Sequence, residues 1–461
     1  MAMGEEKRER QGSMWVESSA LPSAPGHPFY EKLHGVLKEH GFTPFVENEC
    51  RQYYDDVLGR PSVPPTVYFK MLFIGFFEGI DSERGIAWRV ADSMGLRQFL
   101  GYELTDGTPD HSSISRTRRL MSVETHRTVF QWVLGVLAKE KVLKGKTLGI
   151  DATALEANAA LRSIVRRDTG ESYEEFLTQL AKASGIQTPT RADLVKLDKK
   201  RKGKGSNKDW GHPHDPDARI AKMKDGRTHM AHKAEHAVDI ESGAVIAVTL
   251  QGADKGDTDT LPETLRETAG NLAAVEQDEE AAPELDENPM SKAVLDKGYH
   301  SNETLMLLDF IGARAYVSEP DRGRRDWKGD DKEYAQQCVY GNRRRIRGDH
   351  GKALLRQRGE KVERSFAHLY ETGAMRRTHL RRHQNILKRL LIHAGGFNLS
   401  LVLRKQTGFG KPRTLQDAYR EGRAALFALL SPCWNAIERI RATYDATKPN
   451  WSITQPIAHA A

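Results

Sequence analysis

Apolar residues recur at helical spacing in the first third of the chain. Four of them define one helix face at intervals of four, three and three residues: Val67, Met71, Ile74 and Phe77. The helix would begin after Pro64-Pro65, since proline is tolerated in a first helical turn and not in a helix interior. The same pattern extends from about Phe29 to Glu140 and predicts an all-α region.

A shorter helix within this region carries positive charge. It begins at Thr108-Pro109-Asp110 and bears Arg116, Arg118 and Arg119. Short helices of which the second carries arginines are typical of a helix-turn-helix, whose second helix enters the major groove of DNA. A helical bundle with solvated arginines is equally compatible with the pattern.

The pattern changes to strand at Lys146–Asp151. Short apolar runs end at Asp151 and Asp296, and alternating residues 230–240 predict a half-buried strand that forms a hairpin with residues 244–250. The remaining predicted elements are a helix from Asp257, a helix at 302–310, a strand at 313–317, basic loop material at 319–351 and a helix at 352–370. This order predicts an α/β domain with a mixed sheet and flanking helices.

Composition divides the chain into four predicted regions. They are a disordered leader at 1–27, a helical DNA-binding or dimerisation domain at 28–143, an α/β domain at 144–405 and a C-terminal helical tail at 406–461. Residues 155–227 are polar, with a basic run at Lys199–Lys204 and a stretch rich in glycine, proline and histidine. They are predicted to be an insertion outside the compact core.

Charge indicates the partner. The 461 residues contain 70 Lys and Arg against 63 Asp and Glu, but residues 341–390 alone hold 15 basic against four acidic residues. Such a concentrated positive surface indicates a polyanion partner, whereas residues 276–287 hold seven acids and no base. Three scattered cysteines argue against a disulfide scaffold or a cysteine zinc site. Without a signal-peptide core or an apolar run long enough for a bilayer, we expect a cytoplasmic, nucleoid-associated protein and no membrane partner.

Three acids occupy positions suited to metal-assisted catalysis. Asp151 and Asp296 end short apolar strands, and the carboxyl ends of strands line the ligand crevice of open α/β sheets. Glu363 follows Val362 on a core-packing helix and could reach toward the sheet. Converging carboxylates need cations, and hard oxygen ligands favour Mg²⁺ or Mn²⁺, two of which could promote an in-line displacement at phosphorus. Each acid taken alone is more simply an ordinary solvated cap or helix edge.

Eight segments carry a family resemblance. They are Thr108-Pro109-Asp110-His111-Ser112-Ser113-Ile114-Ser115, Gly149-Ile150-Asp151-Ala152-Thr153, Glu156-Ala157-Asn158-Ala159, Asp225-Gly226-Arg227-Thr228, Asp296-Lys297-Gly298-Tyr299-His300-Ser301, Val362-Glu363-Arg364-Ser365-Phe366-Ala367-His368, Met375-Arg376-Arg377 and Ile386-Leu387-Lys388-Arg389. Over about residues 29–405 the chain resembles the DDE transposases of bacterial insertion sequences. The resemblance implies an RNase H-like catalytic domain with Asp151, Asp296 and Glu363 as its triad and metal ligands.

The resemblance also implies a reaction and its partners. Such a protein binds the terminal inverted repeats of its element, cleaves the ends and joins them to target DNA, using two Mg²⁺ ions for which Mn²⁺ can substitute. Two ends must be brought together, so at least a homodimer is expected on double-stranded DNA. The predicted DNA contacts are Arg116, Arg118, Arg119, Arg343, Arg344, Arg345, Arg356, Arg376, Arg377, Arg381 and Arg382.

The chain departs from the family pattern around the glutamate. Many relatives have an arginine four residues before it and a lysine seven after it, where this chain has Gly359 and Tyr370. Arg356 is the nearest substitute for the arginine, and Arg376 or Arg377 for the lysine.

Histidines offer further candidate sites. His212, His214, Asp215 and Asp217 could suggest a metal site, but their proline-rich context favours a structural or DNA-contacting loop. His300 is a weak candidate for phosphate or acid chemistry and is more simply a polar residue at a helix start. His232 and His236 are predicted to pack within a strand.

Two other functions fit the same residues. One is a metal-dependent nuclease of the same fold that cleaves DNA without strand transfer. The other is a transposase-derived DNA-binding protein without catalytic activity, against which the three intact acids count. An assay for joining of 3′ ends separates the first alternative from a transposase.

Overall fold

The structure, a computed structural model, describes residues 26–415 other than residues 56–61, 104, 202–204, 224, 322, 324, 326, 328, 330 and 331, and also residues 417, 418 and 422. Almost all of the predicted leader and most of the predicted C-terminal tail lie outside the described residues.

The N-terminal region is helical, as its apolar periodicity predicts. Its described helices are α1 (Pro28–Glu39), α2 (Phe42–Cys50), α3 (Pro65–Glu78), α4 (Glu83–Ala91), α5 (Met94–Leu100), α6 (His111–Leu120) and α7 (Val123–Lys139). Ser82, Ser93, Asp110 and Ser122 begin four of them, because each side chain accepts the N–H of the third residue onward. The predicted single apolar face of α3 is wrong, since every residue of Thr66–Phe77 is buried among neighbouring helices.

Helix α6 carries the arginines of the predicted helix-turn-helix. It packs against α3 and α4, and its residues Ile114, Thr117 and Arg118 are buried. Arg116 and Arg119 are exposed. This packing is also that of an ordinary helical bundle, so the helix-turn-helix stays a prediction.

A mixed sheet follows the helices. The described strands are β1 (Thr147–Glu156), β2 (Val165–Arg166), β3 (Trp210–Gly211), β4 (Arg219–Lys222), β5 (Thr228–Asp239), β6 (Val245–Gly252), β7 (Lys292–Leu295) and β8 (Arg314–Val317). Central β1 pairs antiparallel with β5 and parallel with β7, which pairs parallel with β8. The far edge of β5 pairs antiparallel with β6 and β4. The predicted hairpin is confirmed, but β5 is buried on both faces from Met230 onward rather than half-buried.

Helices cover the sheet and extend the insertion. They are α8 (Tyr173–Ala183), α9 (Arg191–Lys200), α10 (Asp257–Glu276), α11 (Asn302–Phe310), α12 (Glu333–Arg347), α13 (Asp349–Phe366) and α14 (His383–Thr407). The predicted loop at 319–351 is wrong over α12, which buries Ala335, Cys338 and Val339 against the sheet side. The predicted helix at 352–370 is α13 followed by a π-helical turn, Ala367–Glu371.

The insertion is more ordered than its composition indicates. Helices α8 and α9 share a small apolar cluster of Leu177, Ala181 and Leu194. Strand β4 belongs to the main sheet, and Trp210 is buried in a second cluster. The prediction that residues 155–227 lie outside the compact core is therefore wrong for their C-terminal part.

The helical region and the sheet pack as one body. The described residues through Gly410 form one compact unit, because α14 contacts α3, α7 and β6. The predicted boundary at residue 143 is thus not a division between separate bodies. The acidic run also belongs to this unit, since Asp278 pairs with Lys139 at 2.9 Å and Asp286 with Lys146 at 3.0 Å.

Helix α14 is apolar and long enough, by length and composition, to resemble a membrane span. Its most apolar 18-residue window is 94% buried within the protein. This burial is typical of the central helix of a folded domain.

Candidate active site

Two of the three predicted carboxylates meet where β7 ends beside the middle of β1, which continues to Glu156, so the prediction that Asp151 ends its strand is wrong. The parallel register pairs Ile150 with Leu295, so Asp151 and Asp296 are neighbours across the two strands. Arg358 of α13 contacts both, with Nη1 2.6 Å from Asp151 Oδ2 and Nη2 3.6 Å from Asp296 Oδ1. The two carboxylates therefore already share one cationic partner.

The Asp151 carboxyl is held between opposing influences. Burial raises its pKa above the ordinary value, and the neighbouring Asp296 carboxylate raises it further. The Arg358 guanidinium and the N–H of Ala152, which donates to Oδ1 at 2.8 Å, both lower the same pKa. The net direction is upward, as expected where a carboxylate is partly desolvated beside a like charge.

Glu363 lies apart from this pair. It is exposed on α13, whereas the face turned to the sheet carries Arg358, Val362 and Ser365. Five residues separate Arg358 from Glu363, a rotation of about 140° around the helix. The described residues contain no group of three or more His, Cys, Asp or Glu side chains placed to hold a metal ion. The structure thus brings together two members of the predicted triad and not the third, whose catalytic role stays a prediction.

Close packing fixes α13 over β1. A Cβ at Gly149 would lie 3.2 Å from Arg358 Cγ and 3.3 Å from Val362 Cγ2, so glycine makes room for the helix. The buried imidazole of His236 on β5 hydrogen-bonds to Ser365 Oγ at 2.9 Å and to the Tyr370 hydroxyl at 2.6 Å. His236 therefore packs within its strand, as predicted, and joins it to the end of α13 and to the π-helical turn.

Sequence reasoning missed a fully buried carboxylate, Glu235, on the opposite face of the sheet from Asp151. Glu235 accepts hydrogen bonds from the Tyr299 hydroxyl at 2.6 Å, from Thr260 at 3.0 Å and from Thr264. Tyr299 follows Asp296 by three residues, so this network fixes the loop that presents the second aspartate. No local pattern indicated it, because Glu235 belongs to the more polar half of the alternation and Tyr299 is 64 positions away.

Four of the arginines predicted to contact DNA are engaged within the protein. Arg118 is buried and donates to Glu83 Oε1 at 2.7 Å and to Asn385 Oδ1 at 2.7 Å. Arg343 forms a bidentate pair with Glu319, at 2.6 and 2.7 Å. Arg345 donates to the carbonyl of Ala315, and Arg376 to Glu371 and the carbonyl of Ala154. These contacts give the four side chains roles in the fold, and their contact with DNA stays a prediction.

The other predicted arginines face solvent. They are Arg116, Arg119, Arg344, Arg356, Arg377, Arg381 and Arg382. Arg377, 61% exposed, lies 3.7 Å from Glu156 at the end of β1. Arg381 and Arg382 line a cleft with His379 and Asn158. Residues 377–382 therefore place three exposed arginines beside the carboxyl end of β1.

The loop that contains His212, His214, Asp215 and Asp217 holds the end of the arginine-bearing segment 377–382. Asp215 Oδ1 accepts the N–H of Arg382 at 3.0 Å, and Asp217 Oδ2 accepts the N–H of His383 at 2.9 Å. His232 Nε2 lies 3.3 Å from Asp215 Oδ2, and both side chains are fully buried. Burial, with help from His232, lowers the pKa of His383 to about 4. The loop is thus structural, as its proline-rich context favours.

His300, the weakest of the predicted candidates, is buried just after the second aspartate. Its Nε2 lies 4.0 Å from Glu319, the carboxylate that also binds Arg343. This position ties His300 to the partners of α12 rather than to the aspartate pair.

A sheet with β5 antiparallel beside three parallel strands, and two aspartates side by side where β7 ends, defines the chain as an α/β protein with a polar site beside the carboxyl end of a central strand. Comparisons with models of known protein families identify the family. Residues 19–120 match the family model described as Transposase domain (DUF772), and residues 195–399 match that of the Transposase DDE domain. No curated protein and no solved structure matches the chain.

The chain belongs to the DDE transposases of insertion sequences. The family implies an RNase H-like fold for the sheet domain, divalent-metal dependence and DNA as the partner. Asp296 and Glu363 lie within the matched residues, and Asp151 precedes them. The connection of Asp151 to the site therefore depends on the pairing of β1 with β7.

Proposed function

We propose that the protein is a cut-and-paste transposase that binds the terminal inverted repeats of its own element, cleaves the ends and joins the 3′ hydroxyl to target DNA. The observation that carries this proposal is the convergence of Asp151 and Asp296, from neighbouring parallel strands, on one cationic partner. A carboxylate pair with a purely structural role would not need side chains that are open to solvent.

The aspartate pair fits the divalent metal that the family implies. Both side chains offer hard oxygen ligands, are 29% and 42% exposed, and are spaced so that one positive group contacts both. Asp151 and Asp296 would hold the metal, with Glu363 as the proposed third ligand. When bound, Mg²⁺ or Mn²⁺, in a two-ion site, supplies charge stabilisation for an in-line displacement at phosphorus.

The remaining residues of the site position these groups and the DNA. The Glu235–Tyr299 hydrogen bond holds the loop after β7, and Gly149 allows α13 to close over β1. Exposed Arg377, Arg381 and Arg382 would bind backbone phosphates, which supply affinity without reading sequence. Base readout would then belong to the N-terminal helices, with Arg116 and Arg119 of α6 as candidates.

We further propose that the active form on DNA is at least a dimer, because two element ends must be processed together. Because DNA is the proposed substrate, the protein would act in the cytoplasm, on the nucleoid.

The test is an assay on DNA that flanks the gene and contains the candidate terminal repeats. Wild-type protein with Mg²⁺ should release the ends and join them to a second duplex, and Asp296→Asn should do neither while still binding the repeats. Cleavage without joining would instead support a nuclease. Repeat binding without either reaction by wild type would support an inactive transposase-derived protein.

A further inference from the structure

The proposed reaction uses the two aspartates but leaves their shared partner, Arg358, without a role. The Arg358 side chain is 13% exposed, and its stem lies against Gly149, where any Cβ would be crowded. Its guanidinium spans from Asp151 to Asp296. The fold therefore places a cation between the two carboxylates.

A guanidinium and a divalent cation would compete for these oxygens. Arg358 donates directly to Asp151 Oδ2 at 2.6 Å, and an arginine stays charged at any physiological pH. Like charges repel strongly at such separations in a partly buried site. Metal binding at the aspartates therefore requires Arg358 to move away from them.

A displaced guanidinium needs another anion. Arg358 Nε is buried and has no hydrogen-bond partner among the described residues, so this charge is only partly satisfied by the aspartates. Leaving it without any carboxylate would be unfavourable. A DNA phosphate presents two oxygens in the geometry that the guanidinium fork binds, and a phosphate must approach this edge if the aspartates act on DNA.

We propose that Arg358 is a built-in competitor for the divalent cation, and that a DNA backbone phosphate relieves the competition by binding the guanidinium. This inference rests on the proposed function, since it takes Asp151 and Asp296 as the cation ligands. Its consequence is that the metal site is weak in free protein and strong on DNA. Coupling of this kind is reciprocal, so metal raises DNA affinity by the factor by which DNA raises metal affinity.

Binding of Mn²⁺ to the full chain, followed by the electron paramagnetic resonance signal of the free ion, tests the proposal. Without DNA, Arg358→Gln should bind Mn²⁺ about tenfold more tightly than wild type, within the usual range of coupling between sites. Adding a duplex with the terminal repeat should strengthen Mn²⁺ binding more for wild type than for Arg358→Gln. Signals from the duplex alone are subtracted.

Three further variants complete the design. Lys352→Gln removes one positive charge from the exposed first turn of the same helix and should behave as wild type. Arg358→Lys keeps the charge but cannot span both carboxylates, so its Mn²⁺ affinity without DNA should be intermediate; it decides the question if Arg358→Gln does not fold. Asp296→Asn should lose the site.

Two results would overturn the inference in different ways. Equal or weaker Mn²⁺ binding by Arg358→Gln in the absence of DNA, with the site still lost in Asp296→Asn, rejects the competition and leaves the proposed function standing. Unchanged Mn²⁺ binding by Asp296→Asn rejects both, because the aspartates would then not be the metal ligands.

Discussion

Glu235 and Asp151 lie on paired strands of one sheet, yet their carboxylates have opposite surroundings. Glu235 is opposite Ala152 in the register and Asp151 is opposite His236, so the two acids point to different faces. Glu235 faces α10, is fully buried and is held by three hydroxyl groups. Asp151 faces α13, is partly exposed and is held by a guanidinium.

This difference distinguishes a carboxylate whose hydrogen-bond donors are fixed by the fold from one whose cationic partner can be exchanged. The neutral donors around Glu235 occupy both of its oxygens in a place that solvent does not reach, although burial raises its pKa. A single arginine contacts Asp151, at an edge open to solvent and beside a second carboxylate. A cation can replace another cation there, whereas replacing the hydroxyls around Glu235 would require the sheet and α10 to separate.

The largest expected effect tests whether Glu363 of α13 is a ligand of the same metal site as Asp151 and Asp296. Glu363→Gln removes the charge of the proposed third ligand and keeps its shape, so cleavage of repeat DNA should fall by about three orders of magnitude or more. Glu360→Gln, on the solvent side where Glu360 pairs with Arg364 at 3.1 Å, should change little. Binding of the repeat duplex should be nearly unchanged in both.

The reverse pattern would change the assignment. If Glu360→Gln were inactive and Glu363→Gln cleaved normally, the third ligand and the motif match behind it would be wrong. If both cleaved normally, the site would consist of the two aspartates that the structure brings together.

A smaller effect is expected on the structural face. Glu235→Ala leaves the hydroxyls of Tyr299, Thr260 and Thr264 without their shared acceptor and opens a cavity, so the free energy of unfolding should fall by about 3 kcal/mol. Asp296→Asn should change it by less than about 1 kcal/mol, since that side chain is 42% exposed. Denaturant titration measures both.

Glu263→Ala, an exposed acid on α10, is the matched control and should lie within about 0.5 kcal/mol of wild type. A stable Glu235→Ala variant would mean that the hydroxyl network contributes little and that the two faces differ less than their geometry indicates.

The arginines likewise divide into exposed side chains and side chains that are paired within the protein. Arg381→Glu with Arg382→Glu should weaken binding to any duplex and flatten its salt dependence, by about 0.9 in the slope of log affinity against log salt for each lost phosphate contact. Arg343→Gln, whose parent side chain is paired with Glu319, should lower the melting temperature and leave that slope unchanged. A loss confined to terminal-repeat DNA in the first variant would indicate base readout by this segment.

The sequence predicts the aspartate pair well because its signal is local. Each apolar run that ends in aspartate marks where the parallel pairing of β1 with β7 stops, although β1 itself continues to Glu156. Helix α12 was missed for a related reason: its 15 residues bury only Ala335, Cys338, Val339 and Asn342, and its arginines resemble a basic loop. The apolar pattern of α12 is too sparse to predict a helix, which tertiary packing nevertheless stabilises.

Long-range pairings could not be predicted. Arg358 is 207 positions from Asp151, and Glu235 is 64 positions from Tyr299. Choosing one partner among 70 basic residues requires the fold itself. Net charge likewise indicated a basic segment. It did not show that the side chains of Arg118, Arg343, Arg345 and Arg376 are paired within the protein, because charge counts do not distinguish paired from exposed side chains.

The smallest expected effect concerns His236, which lies opposite Asp151 on the α13 face. Burial lowers the pKa of His236 to about 3, below its value in an unfolded chain. Between the two pKa values the unfolded chain binds more protons, so the stability present at neutral pH is lost as pH falls. Between pH 7 and about 5.5 this group alone should account for about 1 kcal/mol of the loss.

His236→Asn, which can keep one hydrogen bond, should therefore show a shallower decline of unfolding free energy over this range. The decline should not vanish, because burial also lowers the pKa values of His126 and His383. His111→Asn, at an exposed position, should follow the wild-type curve. A neutral His236 leaves Arg358 as the cation that contacts Asp151, which is what the competition with metal requires. Equal slopes for wild type and His236→Asn would mean that His236 gains a proton in the folded state, and a second positive charge would then lie on the face of the aspartates.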